Sequence, residues 1–218
     1  ISFREVLAGD GYRLSKSLDG PRDVVEIAYG LVTYAEFFTL DPSGVAGCLL
    51  KHEDVEFACY PGADGIIVRD RCGEARIRKG RRGFIYDSKQ GDPLKLAAIV
   101  ERLGQDGKVS PDGDIDDAAL FAATVEHYYP DPLSRIWAAF YELVDHPPDL
   151  IVNLCDGACH GSRFFHAMVG DVASTHGSLN RRNSTTFVMT MLGELPPALR
   201  GRDVLPAIQG LRTAQPRN

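Results

Sequence analysis

Polar and apolar positions change period along the chain. Phe3, Val6 and Leu7 are helically spaced, and Gly9 to Gly11 ends that pattern before an extended segment opens at Tyr12–Leu14. Residues 22–38, RDVVEIAYGLVTYAEFF, are apolar, β-branched or aromatic with Gly30 in the middle, which predicts a hairpin or two consecutive strands. Asp41-Pro-Ser-Gly opens a short helix around Val45–Leu50. Four short runs follow, Val55–Tyr60, Gly65–Arg69, Ala75–Arg78 and Gly83–Asp87, joined by glycines or charges. They predict a small antiparallel meander over residues 55–87.

From Pro93 the period lengthens to about 3.6 residues, and Leu94, Ala97, Ala98 and Val100 to Leu103 mark a helix. A polar loop, Gly104–Asp114, leads to a second helix over Ala118–His127. Leu133–Val144, LSRIWAAFYELV, is strongly amphipathic and carries the only Trp, so it is expected to pack against the sheet until Pro147 and Pro148 stop it. Asp149–Leu154 is almost wholly apolar, as a strand buried on both faces would be. Thr185–Met191, TTFVMTM, has the composition of another strand, expected beside the first in one sheet.

With 218 residues the chain is long enough for one substantial domain. Its hydrophobic and charged fractions, 44% and 25%, are ordinary for a globular protein. A net charge of −6 gives no electrostatic reason to expect nucleic acid or an anionic membrane as partner. No apolar run approaches a membrane span and no signal peptide is visible. The chain begins with Ile, so an upstream segment is expected. The five cysteines, Cys48, Cys59, Cys72, Cys155 and Cys159, are odd in number and irregular in spacing, which fits reduced thiols in the cytoplasm better than a disulfide framework.

Candidate chemistry concentrates at Val172–Met191. His176 is followed by Gly177, which permits a sharp bend, and Ser178, Asn180 and Asn183 continue the turn chemistry. A histidine so mounted can point into a cleft while the sheet holds its backbone, as a metal ligand or acid/base group requires. His160 and His166 are secondary candidates on the preceding loop, Asn153–Thr175, which is expected at the carboxyl end of the Asp149–Leu154 strand. The acidic series Asp112, Asp114, Asp116 and Asp117 lacks the closing glutamate of a calcium loop, and Asp116 and Asp117 fit the N-terminus of the Ala118–His127 helix better. Asp145-His146 reads as a helix C-terminal histidine. Cys155 and Cys159 have three residues between them, which fits neither haem attachment nor a zinc site without a second cluster. The arginines and lysine between 69 and 82 read as a solvated strand face.

The order of these motifs resembles the C-terminal end of the alkaline phosphatase superfamily, closest to its type I phosphodiesterase/nucleotide pyrophosphatase-like branch. The resemblance is carried by Thr175-His-Gly-Ser-Leu179, by Arg202-Asp-Val-Leu-Pro-Ala-Ile208, by Phe84-Ile-Tyr-Asp87 before Gly91-Asp-Pro-Leu94, and by Asp149-Leu-Ile-Val152 after a helix and a proline turn. It implies an α/β fold, part of an alkaline-phosphatase-like α/β/α sandwich carrying the meander, with residues 1–218 as the C-terminal portion of a larger chain. It implies a phosphate-ester substrate, a divalent metal (zinc or manganese) in the intact protein, and His176 as the matching metal ligand. The family's early aspartate, its Ser or Thr nucleophile and its Asp-x-x-x-His and Asp-His ligands have no match here. The isolated chain is therefore expected to be inactive and to hold no metal firmly. The other class of function open at this point is a non-catalytic binding domain of phosphoesterase shape. The oligomeric state is not legible.

Overall fold

The computed structural model describes residues 1–27, 30–142, 144–170 and 175–214. The chain divides into two units, Ile1–Ser184 and Thr185–Asn218.

The first unit is mixed α/β. Its elements are α1 (Arg4–Gly9), β1 (Arg13–Leu14), β2 (Asp23–Ile27), β3 (Tyr34–Thr39), α2 (Pro42–Leu49), β4 (Val55–Gly62), β5 (Gly65–Arg69), β6 (Glu74–Lys79) and β7 (Gly83–Gln90). They continue with α3 (Ala97–Gln105), β8 (Asp114–Asp116), α4 (Asp117–Thr124), α5 (Pro132–Tyr141), β9 (Leu150–Leu154), α6 (Arg163–Val169) and α7 (Arg181–Ser184). Among the described residues the strands form one sheet in the order β1-β2-β3-β9-β4-β5-β6-β7-β8. β1 and β2 pair in parallel and every other neighbouring pair is antiparallel.

Strand alternation divides the interior into two cores, one per face. Leu150, Val152 and Leu154 of β9 join Phe37, Val55 and Ala58 under α1 and α2. Ile151 of β9 points the other way, with Phe57, Cys59, Ile66 and Val68, under α3, α4 and α5. The apolar Asp149–Leu154 run thus becomes the central strand between β3 and β4.

Local chemistry explains the boundaries. Asp41 caps α2 by accepting from Gly44 N at 3.0 Å, and Pro42 suits the first helical position. Asp116 and Asp117 do what a helix N-terminus asks: Asp116 accepts from Ala119 N and Asp117 occupies the first turn of α4, whereas Asp114, in β8, accepts from Arg81 N and Arg82 N with its Oδ2. α5 ends at Tyr141, before the prolines, and Asp149 is tied back to β3 through its N–H to Phe37 O and through Thr39 N to its Oδ2. Asp145 and His146 consequently lie beyond the helix and are exposed, not at its C-terminus.

Thr185–Met191 does not form the expected strand, so it is no neighbour of β9. Strand propensity measures fit to a pleated, half-buried surface. The second unit offers one helix, α8 (Gly201–Ala214), and no strand among its described residues for the run to pair with. Phe187, Met189 and Met191 are exposed. Asp203 falls in the first turn of α8 and Pro206 lies inside it. Among the described residues no helix is long and apolar enough to cross a membrane.

Candidate functional site

On the α5 face of the sheet lies a cavity of about 380 Å³, within the size range of small-molecule pockets. The strand register builds its floor. Tyr34, Asn153 and Phe57 form one row across β3, β9 and β4; Glu36, Ile151 and Cys59 form the next. Its roof is the face of α5 that carries Arg135, Ile136, Ala139 and Phe140, spaced as one helical stripe. Val144 and Pro148 lie on its lining, as do His176, Gly177 and Leu179.

The turn that carries His176 is held by buried polar groups. Thr33 N donates to His176 O at 3.1 Å, and Ser178 N donates to Thr33 Oγ1 at 2.7 Å. Leu179 N donates to Asn153 Oδ1 at 2.7 Å, while Asn153 Nδ2 donates to Glu56 Oε2 and Asn180 Oδ1. Arg135 extends from α5 and donates to Pro130 O, Leu179 O and Ser178 O at 3.1–3.2 Å. Asp156 Oδ1 accepts from Asn180 Nδ2 and Asn183 Nδ2. Thr33, Asn153, Ser178 and Asn180 are each at most 3% exposed. Buried polar networks fix geometry when every member is satisfied, and this one holds the backbone from the His176 carbonyl through Leu179.

Gly177 completes the turn with φ +116°, and a Cβ there would lie 2.6 Å from the Tyr34 ring. The bend and the close approach both need glycine. The His176 side chain itself is exposed. The anchor is not the expected 185–191 strand, which takes no part in any sheet: Thr33 just before β3, Asn153 of β9 and Arg135 of α5 hold the turn.

Burial sets the electrostatics. It pushes the Glu36 carboxyl above the usual range. Burial, and then the Glu36 charge, raises the Tyr34 phenol. Burial likewise raises the Cys59 thiol, leaving it neutral and unreactive. Desolvation draws the Arg135 guanidinium downward, opposed by the nearby Asp131 charge.

The other two candidate histidines lie elsewhere. His160 is 3% exposed and packs against Phe3, on the side of the opposite core. Its Nε2 lies 2.8 Å from Glu26 Oε1, within ion-pair distance but without the in-line geometry of a hydrogen bond. His166 is exposed on α6. Among the described residues no three His, Cys, Asp or Glu side chains converge on a point where a metal could sit. A zinc site takes three or four protein ligands, so His176 alone does not fit one.

Of residues 153–175, only Asn153 is on the cavity lining among those described. The carboxyl-end rule for parallel sheets does not apply, because β3 and β4 both run opposite to β9. The cavity lies instead across a sheet face. Glu36, Arg135 and Asn153 were not singled out from sequence, yet each is the polar exception in an apolar pattern: Tyr-Ala-Glu-Phe-Phe, one stripe of an amphipathic helix, and Leu-Ile-Val-Asn-Leu. Comparison with protein-family models, with curated proteins and with solved structures finds no match.

Proposed function

We propose that this chain is the C-terminal portion of a metal-dependent phosphoester hydrolase of the alkaline phosphatase superfamily type, contributing the His176–Gly177 turn to its site. The observation that carries the reading is that turn: an exposed imidazole on a backbone fixed by buried hydrogen bonds, at the lining of a cavity sized for a small substrate. A group mounted so needs no reorganisation to meet a ligand. A core on each sheet face supports an α/β/α arrangement, and the antiparallel pairing around β9 gives it its own topology. The residues of this chain do not make a metal site by themselves, so no metal-assisted step is assigned to them. Their part is to present the imidazole and hold the turn.

The test is hydrolysis of aryl phosphate mono- and diesters with added zinc or manganese. The 218-residue chain is expected to show no turnover. The complete gene product is expected to turn over, and His176→Ala in it to lower metal content and rate together at matched folded fraction. Unchanged metal content and rate in that variant would remove the reading.

A second reading, a non-catalytic binding domain, is favoured by the cavity's lining, which is mostly apolar side chains. It predicts ligand binding by the complete gene product without turnover of any phosphate ester.

A further inference from the structure

We propose that the cavity between the sheet and α5 binds a small primary amine with an apolar body, its ammonium group held by Glu36. Three observations lead there. Two polar side chains at the turn end, Asn153 and Arg135, already have partners inside the protein. Asn153 uses its Oδ1 on Leu179 N and its Nδ2 on Glu56 and Asn180, and Arg135 uses its guanidinium on three backbone carbonyls. Glu36 is different: it lies on the cavity floor and, among the described residues, accepts no hydrogen bond and forms no ion pair.

The neighbours of Glu36 are the second point. Cross-strand, Ile151 and Ile27 are its direct partners and Cys59 lies beyond Ile151, and none of them carries a cation. Glu36 is half-buried on the cavity floor, and burial raises its proton affinity. A ligand cation supplies the counter-charge that the fold withholds. The third point is the rest of the wall. Phe57, Phe140, Ile136 and Val144 line the cavity with apolar side chains for the ligand's body.

Arg135 does not oppose this arrangement. It donates to Ser178 O and Leu179 O at the turn, beside the Tyr34–Asn153–Phe57 row. Glu36 belongs to the next row, two residues further along β3, roughly 6–7 Å away. The cavity is therefore polarised, with its fixed cation engaged at one end and an unengaged carboxylate towards the other. The inference does not depend on the phosphoester reading, since amine binding and ester turnover can each fail alone.

The experiment is an NMR titration of the 218-residue chain at neutral pH with 2-phenylethylamine, and with 2-phenylethanol and 3-phenylpropionate as neutral and anionic counterparts. The amine is expected to shift amides of β3, β9 and β4 and to bind at least about tenfold more tightly than the alcohol, the size of one charge-assisted hydrogen bond. The carboxylate is expected not to bind. Glu36→Gln is expected to erase the preference for the amine while leaving alcohol binding intact, which also shows that the variant's cavity is folded. Equal affinity for amine and alcohol, survival of the preference in Glu36→Gln, or no binding by the amine at millimolar concentration would overturn the proposal.

Discussion

Gly177 and Glu36 are the two residues whose surroundings decide most about the site. Alanine at 177 must adopt φ near +116° and place a Cβ 2.6 Å from the Tyr34 ring. Backbone strain of this kind costs about 1–3 kcal/mol, so Gly177→Ala is expected to lower the melting temperature by several degrees. Calorimetry checks it, and an unchanged Tm would mean that the turn is not held against Tyr34. Glu36 sets a pH dependence whose sign follows from its cause. Burial raises its folded pKa, so between the ordinary glutamate value and that raised value the folded state binds more protons than the unfolded chain. Stability from this group is therefore lost as pH rises through the window, and the ionised form burdens the fold above it. Glu36→Gln is expected to raise Tm at about pH 7 and to lose that gain near pH 3, where both states are protonated. Thermal melts of both proteins across this range test it; an equal loss at every pH would contradict it. The sequence made His176 and Gly177 legible because a histidine before a glycine in a polar turn is a local pattern. It could not show Glu36, whose character comes from Ile151 and Cys59 across two strand pairings.

α5 joins the sheet to the turn through one side chain. Arg135 donates to three carbonyls, two of them in the turn, and packs in a stripe with Ile136, Ala139 and Phe140. Arg135→Met keeps most of the apolar stem and removes the donors, leaving buried carbonyls with fewer partners. The expected cost is about 1.5–3 kcal/mol, the range for hydrogen bonds to a charged group. Urea denaturation measures it, and a change within error would show that the guanidinium is dispensable. At this scale the periodicity was a good guide to α1, α2, the β4–β7 meander, α5 and β9, all of which organise around short-range patterns. It misled at Thr185–Met191. A strand is made by its ladder partners, and composition cannot reveal whether an edge is available. The short strand β8 was missed for the converse reason: three residues, Asp-Ile-Asp, are strand only because β7 pairs with them.

Both cores and the cavity are built wholly from residues before 185. A chain ending at Ser184 is therefore expected to fold, to keep its sheet and to melt within a few degrees of the 218-residue protein. Circular dichroism and calorimetry check this; loss of cooperative melting would show that residues 185–214 contribute to the first unit's stability. The overall α/β character was legible from alternating strand and helix periods. The sheet order was not, because inserting β9 between β3 and β4 joins segments about a hundred residues apart. The same insertion makes the site, since it brings Asn153 beneath the His176 turn. That a loop histidine is mounted as rigidly as a strand is the claim on which the functional reading rests. Native-state amide hydrogen exchange tests it most directly. Thr33, Ser178 and Leu179, whose N–H groups bond to His176 O, Thr33 Oγ1 and Asn153 Oδ1, are expected to show protection approaching that of Val152 in β9. Exchange of Ser178 and Leu179 at the rate of an open loop, with β9 still protected, would contradict it.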